Sequence, residues 1–343
     1  MIPARYQWPI GIVVLVVAAL LPFVTTSFET SQILTRALIL GIAASSLIFL
    51  ASLGGGVSLA QTGMYGLAGF LFGNFVAADG GATMAIGIYP ALALAIVGTV
   101  LVSLIIGLIS SRSEGIYFLM ITLAFGVIIK LIFEKATDLS GFGGINNIPA
   151  PSFLGNTTTD PNNLYWLALA ISALVYLGVR YFARTPFGLA FQGVRDNPTR
   201  MRALGYNVIV LRTIAFGIGG LIAAISGLLN VWWLTEIAPG TIDVGPIIYL
   251  LLIAIIGGLY RIEGAWIGAL IFAIIDNRLR SIHFVGDRTT TAIGVIFLLI
   301  VLLSPGGVMG IYESLVTRFR RPRTPGPTIA SDDGTAASSV AGD

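Results

Sequence analysis

The sequence contains no cysteine, and this absence removes several kinds of chemistry. Without a thiol the chain can form no disulfide, no thiolate nucleophile and no cysteine-ligated metal site. The single histidine, His283, excludes a multi-histidine metal site, and a serine triad would have to recruit that one residue. We therefore expect no metal and no cofactor in this chain. The lack of cysteine leaves the redox compartment undecided.

Lysine is also scarce, and its two positions exclude one route to ATP hydrolysis. A phosphate-binding P-loop needs Gly-Lys followed by Ser or Thr. The lysines here are Lys130 and Lys135, which follow Ile129 and Glu134. The sequence therefore predicts a chain that has no ATPase site of this type, and it gives no support to an enzyme of another kind.

Few carboxylates fall within apolar stretches, and each has a cation nearby. Glu134 lies four residues from Lys130, and Asp276 lies four residues from Arg280. This spacing is typical of ion pairs on one helix surface, and it favours such pairs over a proton relay.

The composition places the chain in a membrane. Hydrophobic residues make up 56% of the sequence and charged residues only 10%, which is more apolar surface than a soluble core of this size encloses. The net charge of +3 comes from arginines beside apolar runs. Because these arginines are not interleaved with exposed aromatics, we expect no nucleic-acid partner.

Apolar runs long enough to cross a bilayer recur along the chain. They predict an all-α, polytopic membrane protein with about ten transmembrane helices. The third, eighth and ninth runs are short or interrupted by glycine, so a count of eight or nine with re-entrant segments stays possible. The runs are 10–24, 33–53, 57–78, 84–109, 116–133, 164–182, 214–234, 247–259, 265–275 and 292–303.

The segment 184–212 is polar and rich in arginine, and it separates two long apolar runs. Short loops rich in Lys and Arg stay in the cytoplasm during insertion, so this loop orients the whole chain. Asn197-Pro198 is a typical helix start, which predicts a helix outside the bilayer. With this loop inside, the following also fall inside: Arg5, Arg112, Arg261 and the arginines of 318–323. The acidic residues Glu29, Asp79, Asp138, Asp160, Glu236 and Asp243 fall outside, whereas Arg278, Arg280 and Arg288 lie outside against the trend.

The two ends of the sequence differ in character. The first apolar run follows Arg5 and lacks a small-x-small cleavage pattern, so we interpret it as a retained helix. Residues 318–343 contain too few apolar residues to offset the entropy of ordering and predict a disordered tail. The expected organisation is a transmembrane domain over 1–317, including the loop 184–212, followed by this tail.

Glycine is concentrated after the second run. Gly54-Gly55-Gly56 interrupts the apolar pattern, and Gly63, Gly66, Gly69 and Gly73 follow at small-residue spacing. One interpretation is a broken or re-entrant helix beside a solute path, where freed backbone groups meet a polar substrate. The other is close helix packing alone, and the sequence does not choose between them.

Five blocks, in order, resemble the permease subunits of branched-chain amino-acid ABC importers of the LivM type. They are GGGVSLAQTGMYGLAGF, RSEGIYFLMITLAFGVI with GFGGINNIP, RTPFGLAFQGVRDNPTRMRALGYNV, GGLYRIEGAWIGA and LLSPGGVMGIYE. The blocks span most of the chain. The tail and the loop 146–163 are not covered.

The resemblance implies one permease of an importer in a bacterial inner membrane, with both termini cytoplasmic. Its implied partners are a second permease, two ATPase subunits that bind ATP, and an extracytoplasmic binding protein that delivers an amino acid. The loop then carries a coupling helix, with Arg195, Asp196 and Asn197 at its start and Ala203, Leu204 and Gly205 against the ATPase. A purely solvated linker is the alternative, although the apolar content of this loop favours a covering partner.

A transported amino acid needs polar groups for its charged ends and an apolar slot for its side chain. The expected path residues are Ser58, Gln61, Tyr65 and Thr122. Three other functions remain open: a urea or short-amide ABC permease, an ATP-independent secondary carrier or channel, and a membrane transferase. The sparse intramembrane carboxylates give the last two no support.

Overall fold

The computed structural model describes residues 29–76, 84–141, 143–155 and 161–281, together with Pro22 and a few isolated positions after residue 290. The predicted first and last spans lie almost entirely outside these ranges. His283, Arg288 and the tail after residue 317 lie wholly outside them.

Helices account for nearly all of the described structure, which confirms the all-α prediction. We number them α1 to α11: Arg36–Phe49, Gln61–Phe75, Ile88–Ser110, Gly115–Lys135, Thr137–Ser140, Pro161–Phe182, Pro186–Asp196, Pro198–Ala203, Val208–Leu234, Val244–Gly257 and Gly264–Ser281. Two π-helical segments, Thr30–Thr35 and Leu50–Gly54, extend α1 at its ends, and 3₁₀ turns occur at Ser152–Leu154 and Pro239–Ile242. Within the described ranges, the extended chain forms only an isolated bridge between Ile145 and Ile237.

Five of these helices are long and apolar enough to cross a membrane. They are Thr30–Gly54, which includes α1, and α3, α4, α6 and α9. At 1.5 Å per residue, α2 and α10 are shorter than the hydrocarbon layer, as their sequences predicted. The helix α11 extends past the predicted end at residue 275 and includes Asp276, because that carboxylate pairs with Arg36 of α1 inside the protein.

Helix α2 occupies the interior, and glycines let its neighbours approach. Gly63 lies against Gly126 of α4, and an added Cβ at Gly227 of α9 would overlap the carbonyl oxygen of Tyr65. Such contacts are possible only where a side chain is missing, so the glycine spacing indicated packing surfaces correctly. Larger residues fill the space between them, since Phe70 stacks on Phe133 of α4 at 4.1 Å between ring centroids.

The connecting segments gather at two faces of the helix bundle. On one, here called the loop face, Arg212 donates to the carbonyl of Ser111 and pairs with Glu114, and Arg180 pairs with Glu263. Arg112 lies between Ser111 and Glu114, and Arg261 lies two residues before Glu263, so both are on the same face as the 184–212 loop. This location agrees with the prediction that these arginines lie on the side of the loop.

The other face, here called the opposite face, collects the acidic connections. The Ile145–Ile237 bridge joins two of these segments, and Asn74 donates to the carbonyl of Leu139 beside Asp138. Lys130 pairs with Asp243 across the same surface at 2.9 Å. The grouping agrees with the predicted separation of acidic from basic connections.

Candidate functional site

The helical path of the chain is interrupted between α1 and α2. The π-helical segment Leu50–Gly54 ends at Gly55, whose φ of +76° lies in the left-handed region. The chain stays non-helical until Gln61 begins α2. Glycine adopts this φ without a steric penalty, so the Gly54-Gly55-Gly56 run explains why the helix stops here. The structure contains both features suggested by the sequence, a break followed by close glycine packing.

Three of the four predicted path residues meet at this break. The backbone N–H of Leu59 donates to Oγ1 of Thr122 at 3.2 Å, which brings α4 against the residues next to Ser58. Gln61 lies one turn or less away, at the first position of α2. Tyr65 follows Gln61 by four residues, so it lies on the same side of α2 one turn further along. All four side chains are buried.

Two of these side chains are buried without hydrogen bonds. In the part of the chain that the structure describes, Oγ of Ser58 and both amide atoms of Gln61 have no partner. A buried polar atom left in this way costs about 1–3 kcal/mol, so such groups usually serve a ligand, an ion or ordered water. Thr122 differs, because its hydroxyl also donates to the carbonyl of Leu119 at 3.0 Å.

The 184–212 loop forms two short helices, where a single coupling helix was expected. Thr185 caps α7 by accepting from the N–H of Gly188, and Pro186 occupies its first turn. Asn197 caps α8 in the same way, accepting from the N–H of Arg200 at 2.9 Å, with Pro198 following. The Asn-Pro signal therefore marked the second helix. Arg195 and Asp196 end α7 and pair with each other, so they do not start the element.

The expected contact residues Ala203, Leu204 and Gly205 form the end of α8. The N–H of Gly205 donates to the carbonyl of Arg202, and the N–H of Tyr206 donates to that of Met201. These two bonds, with Gly205 at φ +87°, form a Schellman motif that closes the helix. The turn holds Ala203 and Leu204 on the surface, where both are exposed.

One side of these two helices is packed onto the bundle. Phe191 is buried and contacts Phe182 of α6, which in turn contacts Phe49 of α1. Met201 of α8 is buried as well, and its sulfur lies over Gly193 of α7. These contacts fix both helices against the transmembrane helices.

Large apolar side chains on the same two helices are uncovered. Phe187 is 65% exposed and Leu204 is 64% exposed, and Leu189 and Tyr206 are exposed too. We call Phe187, Leu189, Leu204 and Tyr206 the coupling patch. Since Phe191 and Met201 already hold the helices to the bundle, packing among the described residues does not account for the patch.

Arg195 connects the loop to the helix break. Its guanidinium donates to the carbonyl of Ser52 in the π-helical end of α1, and its side chain and Cα lie against Gly55. The close approach requires glycine at position 55, both for its φ and for the space. The contact thus links α7 to the segment that carries Ser58 and Gln61.

The sequence did not indicate one charge pair between α1 and α11, in which Asp276 is buried and Arg36 is 24% exposed. Arg36 of α1 donates to Asp276 of α11, and its guanidinium lies over the ring of Trp233 of α9. Asp276 is buried, so it is not the helix-surface residue that its spacing from Arg280 indicated. The sequence feature that could have predicted this pair is Arg36 itself, which lies within the apolar run 33–53. A charged residue in such a run usually has a partner on another helix. The predicted Lys130–Glu134 pair is present at 3.7 Å.

Several apolar spans pack around a short, buried, glycine-rich helix, and two amphipathic helices are held against one face. This arrangement is that of a multi-pass membrane protein. The chain belongs to the branched-chain amino acid transport system permease family, whose model matches residues 30–304. This match confirms the family resemblance inferred from the five sequence blocks.

Curated relatives carry the same description. The high-affinity branched-chain amino acid transport system permease protein LivM of Salmonella typhimurium is 22% identical over 86% of this chain and 73% of its own length. The LivM protein of Escherichia coli is also 22% identical, over 87% and 74%. A probable LivM protein of Methanocaldococcus jannaschii is 27% identical over 50% of this chain and 54% of its own length. No solved structure matches the chain.

Proposed function

We propose that this chain is one of two permease subunits of an ABC importer in a bacterial inner membrane. It moves branched-chain amino acids or closely related small polar solutes, delivered by an extracytoplasmic binding protein. Two separate ATPase subunits bind and hydrolyse ATP, and they dock on the coupling patch of the loop face, which is cytoplasmic. The chain itself breaks no bond.

The coupling patch is the observation that carries this proposal. Four large apolar side chains point away from the bundle, and their helices are held rigidly by buried residues on the other side. An uncovered apolar surface on a braced element is typical of a protein interface. Arg195, Arg200 and Arg202 lie in the last turns of these helices, and by the positive-inside rule they support a cytoplasmic position of the patch, where the ATPase subunits operate.

The contact from Arg195 to Ser52 gives the proposal a mechanical route. When the ATPase subunits close on ATP they move α7 and α8, and Arg195 transmits this motion to the end of α1 and to Gly55. The helix break then moves relative to α4 and α9, which alters access to the path residues by a rigid-body change. The substrate passes between polar groups at the break and apolar side chains of the neighbouring helices.

Replacing Leu204 with Asp tests the docking surface. A charge at the centre of an interface removes an apolar contact and adds an unpaired carboxylate, which costs about 2 kcal/mol or more of docking energy. We expect the variant to stay in the membrane, to lose the ATPase stimulation given by leucine-loaded binding protein, and to lose at least about tenfold in uptake. The measurements are co-purification with the ATPase subunits, ATPase rate and uptake into proteoliposomes.

Tyr260 offers a matched control. It is 75% exposed and lies in the turn between α10 and α11 on the loop face, outside the coupling patch. Tyr260→Asp should keep uptake within about twofold of wild type, since isolated surface substitutions have small effects. Unchanged uptake by Leu204→Asp would refute the coupling role. Parallel assays with leucine-loaded and urea-loaded binding proteins identify the substrate class.

A further inference from the structure

The first turn of α2 lies in the interior of the bundle with no side chain to cap it. Its N-cap position is Ala60, which cannot accept a hydrogen bond from the first backbone N–H groups. These groups have no partner within a helix, and the helix dipole makes this end partly positive. The turn is contacted by Thr122, seven residues after the start of α4, and by Gly219, eleven residues after the start of α9. Both contacts come from well inside these long helices, so the turn lies within the bundle and not at one of its ends.

The polar side chains of this turn are free to bind something. Within the described residues, Ser58 and Gln61 are completely buried and their side-chain polar atoms have no hydrogen-bond partner. The amide nitrogen of Gln61 faces Gly219 of α9, where a Cβ would stand 3.4 Å from it. Ser58 and Gln61 together offer a hydroxyl and an NH₂ as donors beside the helix end.

The surroundings of the turn favour an anion. Neither 50–75 nor α9 contains an acidic residue, so no carboxylate of these segments competes for the donors. On α4, Thr122 is at least seven residues from a charged residue of that helix, and on α9 the same is true of Gly219. Seven residues correspond to about 10 Å along a helix, so the part of each helix that contacts the turn is uncharged. Arg195 meets the other end of the break at Gly55. The helices packed against α2 carry these charged residues: Arg36, Lys130, Glu134, Lys135, Asp138 and Arg212.

We propose that the amino end of α2 binds the α-carboxylate of the transported amino acid, with Ser58 and Gln61 donating hydrogen bonds to it. This inference rests on the proposed function and specifies one contact of the path. A helix start turned toward a carboxylate supplies donors and a favourable dipole without a fixed positive side chain, so the substrate can leave again. A neutral amide or urea gains less from this arrangement because it carries no negative charge.

Thr122 has a different role in this arrangement. Its hydroxyl accepts from Leu59 and donates to Leu119, so it positions the turn and does not contact the substrate. Tyr65 lies one turn beyond Gln61 and is buried, which places it along the path after the carboxylate site.

Gln61→Glu in the complete importer tests the carboxylate contact. The two side chains have the same shape, but an ionised glutamate repels a carboxylate, whereas a protonated one can still donate. Position 61 is fully buried, and burial disfavours the ionised form of a carboxyl group, so the introduced glutamate should be largely protonated at pH 5.5. Uptake of leucine should then be near wild type at pH 5.5 and should fall by about tenfold or more as the pH rises to 8, because a hydrogen bond to a charged group is lost. Wild-type uptake, measured in the same proteoliposomes, should not show this fall.

Asn230 gives a matched control, since it is a second buried amide, located near the other end of α9. Asn230→Asp should not reproduce the pH-dependent loss. A flat profile for Gln61→Glu, or an equal loss at every pH, would overturn the carboxylate site. If this variant does not assemble, Gln61→Met decides, with an expected loss of about tenfold in maximal uptake and an unchanged affinity for the binding protein. Full uptake by Gln61→Met would also overturn the site.

Failure of the proposed function gives a different result. In that case the wild-type complex shows no uptake that depends on ATP and the binding protein. Failure of the carboxylate site alone leaves wild-type leucine uptake intact, while Gln61→Glu shows no pH-dependent loss or Gln61→Met transports normally.

Discussion

Helices α2 and α4 lie side by side and are both apolar, but only α2 is buried. Thirteen of the fifteen residues of α2 are buried, whereas only 28% of the apolar window of α4 is. The two helices meet where Gly63 approaches Gly126 and where Phe70 stacks on Phe133. Hydrophobicity alone does not separate them, because lipid and protein interior are equally apolar. The difference lies in the small residues, which α2 has on several sides.

This contrast extends to polar groups. Those of the interior, such as Gln61 and Asp276, are withdrawn from solvent and are sensitive to any change in their surroundings. Those at the rim of α4, such as Lys130 with Asp243, keep contact with water. Interior positions should therefore tolerate substitution far less than peripheral ones, and three experiments examine this.

The largest effect is expected at the contact between α2 and α9. In Gly227→Leu the new side chain would occupy the space of the carbonyl oxygen of Tyr65, which forces the two helices apart. We expect a loss of about 4 kcal/mol or more, which is exceptional for one substitution. The matched variant is Gly178→Leu in α6, where nothing lies within 4 Å. Thermal unfolding in detergent compares the two, and equal Tm values would contradict the interior assignment of α2.

A smaller loss is expected from the Arg36–Asp276 pair. Asp276→Asn keeps the shape but leaves the arginine without its charge partner. We expect a cost of about 2 kcal/mol, less than for a fully buried pair because Arg36 is partly exposed. Replacing both residues with apolar side chains, as Arg36→Met with Asp276→Leu, should recover much of the stability. Unfolding of Arg36→Met, of Asp276→Leu and of the double variant completes the cycle. Additive losses would show that the two side chains do not interact.

The smallest effect is expected from the Lys130–Asp243 pair at the rim. The hydrogen bond from Lys130, aided by the N–H of Val244, holds the pKa of Asp243 below its usual value of 3.8. A lowered carboxyl pKa stabilises the fold above that usual value, and the contribution disappears as the pH falls below it. Lys130→Met should thus lower Tm slightly at pH 7, and the difference from wild type should vanish in acid. A Tm difference independent of pH would exclude this origin.

Much of the fold could be predicted from the sequence because it depends on local properties. Hydrophobic runs of sufficient length marked the spans, and Asn197-Pro198 marked the start of α8. The grouping of charged connections on two faces followed from arginine placement. The boundaries were predicted less exactly. The apolar run predicted a span that begins at residue 214, whereas α9 begins at Val208, where Asn207 caps it.

The site was less predictable because it combines residues far apart in the chain. Ser58 and Gln61 were recognised as polar residues beside a glycine run, but their lack of partners depends on how α4 and α9 surround them. The joining of Thr122 to Leu59 depends on the same packing. The contact of Arg195 with Ser52 spans 143 positions of sequence, and no local pattern indicates it.

By itself, the sequence determined that this protein is helical, crosses a membrane several times and belongs to a permease family. These conclusions follow from hydrophobicity, spacing and charge, which each short segment carries independently. Only the tertiary structure decided that α2 is the interior helix, that Asp276 pairs with Arg36, and that Arg195 braces the helix break. The physical reason is that all spans are similarly apolar, so their order in space depends on shape and on polar partners that distant segments supply.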